Sequence, residues 1–136
     1  MIMDHKLKLM VVDDSPLFRT WLIHSLSEDD RFQVVGYAVN ALDAQEKIPL
    51  LQPDMLTLDI EMPGMSGIDF LKQLLPVHPI PVILVSSLNL RVFDALEAGA
   101  VDFVRKPDEA NGLSKEIFLS MLRSKLMVAA ASHVHL

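Results

Sequence analysis

Leu7-Lys8-Leu9-Met10-Val11-Val12-Asp13-Asp14-Ser15-Pro16 is the stretch on which the fold turns. Leu7 to Val12 reads as a buried strand. It stops at two aspartates. Ser15 then supplies a helix cap, and Pro16 falls in the first helical turn, where a missing N–H is harmless. Leu17, Phe18, Trp21, Leu22 and Leu26 follow at helical spacing. Strand, polar turn and helix make one βα unit.

Working outward, the unit recurs. Phe32 to Tyr37 reads as a second strand, with Gln33 and Gly36 placing it toward a sheet edge, and Ala41 to Leu50 as a second helix. Asp54 to Leu58 is a third strand after Pro53. Met62-Pro63-Gly64-Met65-Ser66-Gly67 is a turn-rich loop before a helix over Ile68 to Leu75. Pro81 to Val85 is a fourth strand. A short helix from Arg91 to Ala98 ends at Gly99, a residue suited to the left-handed position after a helix. Val101 to Val104 is a fifth strand. Ser114 to about Ala131 is the last helix, with Ile117, Met121, Leu122, Leu126 and Val128 on its apolar side. Such alternation predicts an α/β fold, (βα)5, with a doubly wound parallel sheet covered on both faces. One domain fills residues 1–128. Residues 129–136 are small and polar enough to begin a linker or tail.

Composition narrows the function. The 136 residues carry a formal charge of −6 and no cysteine. Disulfides, thiolate nucleophiles and sulfur-ligated zinc are excluded. The basic residues are scattered and form no stripe of the kind nucleic acid attracts. No apolar run approaches the ~20 residues of a membrane span, and the start of the chain is no signal peptide. A cytoplasmic protein is expected, binding neither nucleic acid nor membrane.

In an open parallel sheet, ligands gather beyond the carboxyl ends of the strands. Asp13 and Asp14 follow the first strand and Asp59 the third. Ser86 and Ser87 follow the fourth, and Lys106-Pro107 comes just past the fifth. Taken singly, each has an ordinary explanation: a helix cap, a loop start, a solvated turn. Together they place three acids, a hydroxyl and a lysine on one rim. Three crowded acids repel unless a cation joins them or one is protonated. Hard oxygen ligands suit Mg²⁺, or Mn²⁺, shared with a phosphate, and the lysine is a second cation for a phosphoryl oxygen.

These residues resemble the receiver domains of two-component response regulators. The likeness rests on Val11-Val12-Asp13-Asp14-Ser15, on Leu58 to Gly67, on Val85-Ser86-Ser87 and on Lys106-Pro107, in that order and spacing. Thr57 to Pro63, Val85 to Leu88 and Leu96 to Val104 further resemble the receiver half of the chemotaxis-specific protein-glutamate methylesterase. The resemblance implies a flavodoxin-like sheet of order 2-1-3-4-5. It implies Asp59 as phosphoacceptor, with Asp14 and Asp59 as metal ligands, Asp13 acting through water and the Glu61 backbone carbonyl completing the set. Ser86 is then the switch hydroxyl, Lys106 the phosphate-binding lysine and Phe103 the switching aromatic, although a plain core aromatic fits Phe103 equally. Lys106-Pro107 resembles the family's cis peptide.

The implied partners are a chemotaxis-type histidine kinase and an output domain, in this chain's own protein or a separate one. A homodimer through the fourth helix, fifth strand and fifth helix is also implied. The chain alone is expected to be no enzyme beyond its own phosphoryl transfer, and it is either a piece of a methylesterase or a stand-alone regulator. Leu88 to Ala95 departs from the methylesterase pattern, being shorter by about one helical turn. An aspartate-nucleophile phosphohydrolase fits less well. Such enzymes carry two aspartates separated by one residue on the first strand, whereas Asp13 and Asp14 are adjacent. A dinucleotide or flavin site fits poorly because the first turn has two acids and no glycine. A serine hydrolase fits poorly because Gly64-Met65-Ser66-Gly67 is no nucleophile elbow and the five histidines are dispersed.

Overall fold

The computed structural model describes residues 6–87, 91–108 and 112–134, with the side chains of 133 and 134 excepted. The elements run β1 (Leu7–Val12), α1 (Pro16–Ser27), β2 (Phe32–Ala38), α2 (Ala41–Leu51), β3 (Met55–Leu58), α3 (Gly67–Leu74), β4 (Val82–Ser86), α4 (Val92–Glu97), β5 (Asp102–Arg105) and α5 (Lys115–Val134). Every pairing between neighbouring strands is parallel, and the sheet order is β2-β1-β3-β4-β5. The expected fold and strand order are therefore present.

Alternation along the strands divides the core in two. Met10, Val12, Leu56, Leu58, Val82 and Leu84 face Ala41, Ala44 and Ile48 of α2, Ile68, Leu71 and Leu74 of α3, and Val92 and Ala95 of α4. Leu9, Val11, Met55, Ile83 and Val85 face Leu22 and Leu26 of α1 and Phe118, Leu122 and Leu126 of α5. Central strands buried on both sides explain the unbroken apolar runs. Each fully buried Leu or Phe contributes about 1.5–3 kcal/mol.

Helix starts follow local chemistry. The side chains of Ser15, Asn40, Ser66 and Ser114 accept from the backbone N–H groups of Phe18, Asp43, Asp69 and Ile117. Each satisfies a donor that the first helical turn leaves open.

Two expectations need correction, the apolar side of α5 and the cis peptide. On α5, Leu122 and Leu126 are buried, but Ile117, Met121 and Val128 are exposed. The buried stripe is Phe118, Leu122, Leu126, Ala129 and Ala130. This helix carries large apolar residues on more than one side, so periodicity could not choose the face. It also runs on to Val134. The Lys106–Pro107 peptide is trans, with no cis bond among the described residues. Proline lowers the cost of the cis form without removing the preference for trans. In the segment expected to be short, α4 has six residues, and Leu88 to Leu90 lie outside the described residues.

Candidate functional site

The rim beyond the strand ends is assembled by the sheet's hydrogen bonds. Val12 pairs with Leu58, and one residue further on the Asp59 N–H donates to the Val12 carbonyl at 3.0 Å, while the Asp13 N–H donates to Ala38 at 3.0 Å. Asp13 and Asp59 thus end adjacent strands side by side. On the other flank Ser86 pairs with Arg105, and the Lys106 N–H donates to the Ser86 carbonyl at 2.9 Å. This last bond carries the ladder one step past β5 and delivers the Lys106 side chain to the acids.

One carboxylate oxygen from each of Asp13, Asp14 and Asp59 lies within 4.8 Å of the others. Asp13 and Asp59 are buried and Asp14 is exposed. The Lys106 ammonium sits 3.0 Å from Asp13 Oδ2 and 3.4 Å from Asp59 Oδ2, its side chain only 15% exposed. Lys106 is thus an enclosed counter-ion to the two acids and no solvated turn residue. The other oxygen of each buried acid is held by backbone. Ser15 N–H donates to Asp13 Oδ1 at 2.8 Å, and Glu61 N–H donates to Asp59 Oδ1 at 3.0 Å.

Burial pushes the Asp59 pKa up to about 6, and the nearby Asp13 charge adds to the rise. Lys106 and the Glu61 N–H oppose it. Near neutrality Asp59 is therefore mostly ionised but held in an environment that disfavours its charge. A further cation would relieve this, so the donor set fits a hard divalent ion.

Most of the chain, residues 9–118, matches the family described as response regulator receiver domain. The chain belongs to that family. A protein-glutamate methylesterase/protein-glutamine glutaminase of Syntrophomonas wolfei is 45% identical over 129 residues, which take in 95% of this chain and 38% of the relative. The receiver thus spans 38% of that relative's length. Among solved structures, the response regulator domain of Thermotoga maritima CheB matches with a TM-score of 0.82 and 36% identity, covering 93% of this chain and 98% of that one. A chain in the crystal structure of the P1 domain of CheA3 in complex with CheY6 from R. sphaeroides matches with a TM-score of 0.75 and 28% identity, covering 92% of this chain and 97% of that one. No described helix is long and apolar enough to cross a membrane.

Within this receiver domain, the remaining expected residues are placed as follows. Ser86 is buried at the end of β4, beside the lysine's anchor point. The Glu61 side chain is exposed, and its backbone turns back over Asp59. Phe103 is half-buried on β5, some distance along the strand from the rim. Its ring lies 5.2 Å from the Lys125 ammonium, which also donates to the Phe103 carbonyl at 2.7 Å.

Two residues escaped the sequence reading. Gly67 is buried, and a Cβ there would lie 2.8 Å from Ile60 Cα and 3.1 Å from the Asp59 carbonyl. Its own N–H donates to the Ile60 carbonyl at 3.0 Å, so α3 begins directly against the backbone that carries Asp59. The turn-rich loop was the available signal, but it did not say which glycine is crowded. Phe18 was read as a core residue of α1; its ring centroid lies 4.5 Å from the Lys106 ammonium.

Proposed function

We propose that this chain is the phosphoacceptor receiver of a cytoplasmic chemotaxis signalling system, loaded on Asp59 by a histidine kinase. The observation that carries the reading is one buried, ionisable carboxylate, Asp59, placed at the end of β3 between a lysine and two further acids. An Asp59 oxygen attacks the phosphorus of the kinase's phosphohistidine. The P–N bond breaks as the P–O bond forms, and the imidazole leaves. Water later cleaves the acyl phosphate, so the mark is transient.

Lys106 offsets charge on the phosphoryl oxygens as they arrive, and the Glu61 N–H holds one Asp59 oxygen so that the other faces the donor. Asp14 and Asp59 would hold Mg²⁺ or Mn²⁺ directly, with Asp13 through water and the Glu61 carbonyl. When bound, that ion supplies charge neutralisation for the transferring group. Ser86, buried next to Lys106, turns its hydroxyl toward the new phosphate, and Phe103 responds on β5.

The output is the face of α4, β5 and α5. Exposed apolar residues there support this part of the reading, with Phe93 on α4, Val101 just before β5, and Ile117 and Met121 on α5. The partner at this face is a methylesterase domain, as the relatives' names and greater length suggest, or a second copy of the receiver. Esterase chemistry is no part of this chain.

The test is direct. Incubation with acetyl phosphate and Mg²⁺ adds a single phosphate, labile to hydroxylamine, and Asp59→Asn takes none. Equal labelling of that variant would overturn the assignment.

A further inference from the structure

Lys106 touches more than its two acids. Its ammonium has three donors. Asp13 Oδ2 lies at 3.0 Å and Asp59 Oδ2 at 3.4 Å, and the Phe18 ring lies beside the same ammonium with its centroid at 4.5 Å. That ring is itself fixed. Trp21 packs on it at 5.7 Å between centroids and Phe118 at 5.9 Å in an edge-on arrangement, with Trp21 and Phe118 6.0 Å apart. Phe118 is fully buried on α5, so the three rings form a brace between α1 and α5. The chain places Phe18 there because the Ser15 cap starts α1 at the rim, and one turn later residue 18 lies beneath the strand ends.

We propose that Phe18 is a positioning residue for phosphoryl transfer, its aromatic face seating the Lys106 ammonium against Asp59. This role rests on the reading of Asp59 as phosphoacceptor. A ring face attracts an ammonium through its quadrupole, and the attraction strengthens where water is excluded. An aliphatic side chain of similar size would fill the space and exclude the same water, but it would offer the charge nothing. Lys106 could then swing toward solvent or settle on Asp13 alone, and the phosphoryl oxygens arriving at Asp59 would lose part of their counter-charge.

The test separates the ring's electrostatics from its bulk. In the full chain, Phe18→Leu and Phe18→Tyr are compared with wild type for the rate of Asp59 labelling by acetyl phosphate at saturating Mg²⁺. A third protein carries 3,4,5-trifluorophenylalanine at position 18, which keeps the shape and depletes the ring's negative face. The expectation is a slowing of about two- to tenfold in the Leu and trifluoro proteins, with the rate restored by Tyr. The trifluoro protein keeps the native packing, so it decides the matter even if the Leu variant folds poorly. A trifluoro protein labelled at the wild-type rate would show that Phe18 only fills space, and the proposal would be wrong. A wild-type chain that takes no label overturns the acceptor reading itself and this role with it. Normal wild-type labelling with an indifferent ring overturns this role alone.

Discussion

At Asp59, burial beside a second acid costs stability. Burial, reinforced by Asp13, raises its pKa from an ordinary carboxylate value to about 6. The folded chain therefore holds this proton more tightly than the unfolded chain does. The resulting stabilisation is complete below the unfolded pKa, near 4, and is lost as pH rises through about 6. Without divalent metal, Asp59→Asn is accordingly expected to stabilise the chain at pH 7.5 by on the order of 2 kcal/mol, and to have little effect at pH 4. Mg²⁺ should narrow the difference at pH 7.5, and its affinity should fall as pH drops through about 6, because the proton and the ion compete for one carboxylate. Thermal melts at the two pH values, with and without Mg²⁺, check both statements; a pH-independent difference would be inconsistent with them. Lys106→Ala should do the reverse. It leaves Asp13 and Asp59 without their shared cation, so it should destabilise at pH 7.5 by about 1–3 kcal/mol. The figure is below that for a fully enclosed pair because the rim can rehydrate and Asp59 can take a proton. The loss should shrink at pH 5, and equal losses at both pH values would show that Lys106 matters for packing alone. Asp13, Asp14, Asp59, Ser86 and Lys106 were legible in the sequence because polar residues stop apolar strands at these points. The enclosure of Lys106 was not, since its partners lie 93 and 47 positions away along the chain.

At the scale of elements, the decisive join is between β3 and α3. The loop after Asp59 must turn back so that the Glu61 N–H meets the carboxylate and α3 starts against Ile60. Gly67 permits that approach, with the Asp59–Ile60 backbone lying where a side chain would stand. Backbone cannot yield as a side-chain tip can. Gly67→Ala should therefore cost about 1–3 kcal/mol and slow Asp59 labelling, by pushing the loop after Asp59 outward. Gly64 is the control. Its φ of +83° disfavours a side chain, but nothing lies within 4 Å of the added Cβ. Gly64→Ala should cost about 1–2 kcal/mol through backbone strain alone and leave labelling unchanged. Denaturant melts paired with labelling rates distinguish the two; if both variants lose labelling alike, loop stiffness matters rather than the Gly67 contact. Strand positions were easy to read because central strands must be apolar throughout. The buried face of α5 was not, because Ile117, Met121 and Val128 repeat near Phe118, Leu122 and Leu126, and only the sheet decides which set it covers.

At the scale of the whole molecule, strict βα alternation left few arrangements, and right-handed crossovers bring the residues after each strand to one edge. The same geometry decides where catalysis other than phosphoryl transfer could occur. Ester hydrolysis near neutral pH needs a nucleophile, a base within hydrogen-bond reach and donors for the developing oxyanion. Ser86 is buried beside acids and Lys106, and Ser66 has its oxygen engaged in capping α3. Neither histidine whose side chain is described lies at the rim. His24 sits in the last turn of α1, exposed and 3.7 Å from Glu28, and His78 lines a groove with Gln52 and Pro53 at the opposite end of the strands. This chain should therefore release no methanol from glutamyl methyl esters, phosphorylated or not. The measurement is methanol release from methylated chemoreceptor with the purified chain, with and without acetyl phosphate. Release above the buffer rate that disappears in Ser86→Ala or Ser66→Ala would place esterase chemistry in this domain. Release that also survives Ser15→Ala and Ser87→Ala, the serines next to the acid pair and just after β4, would point to a contaminating enzyme.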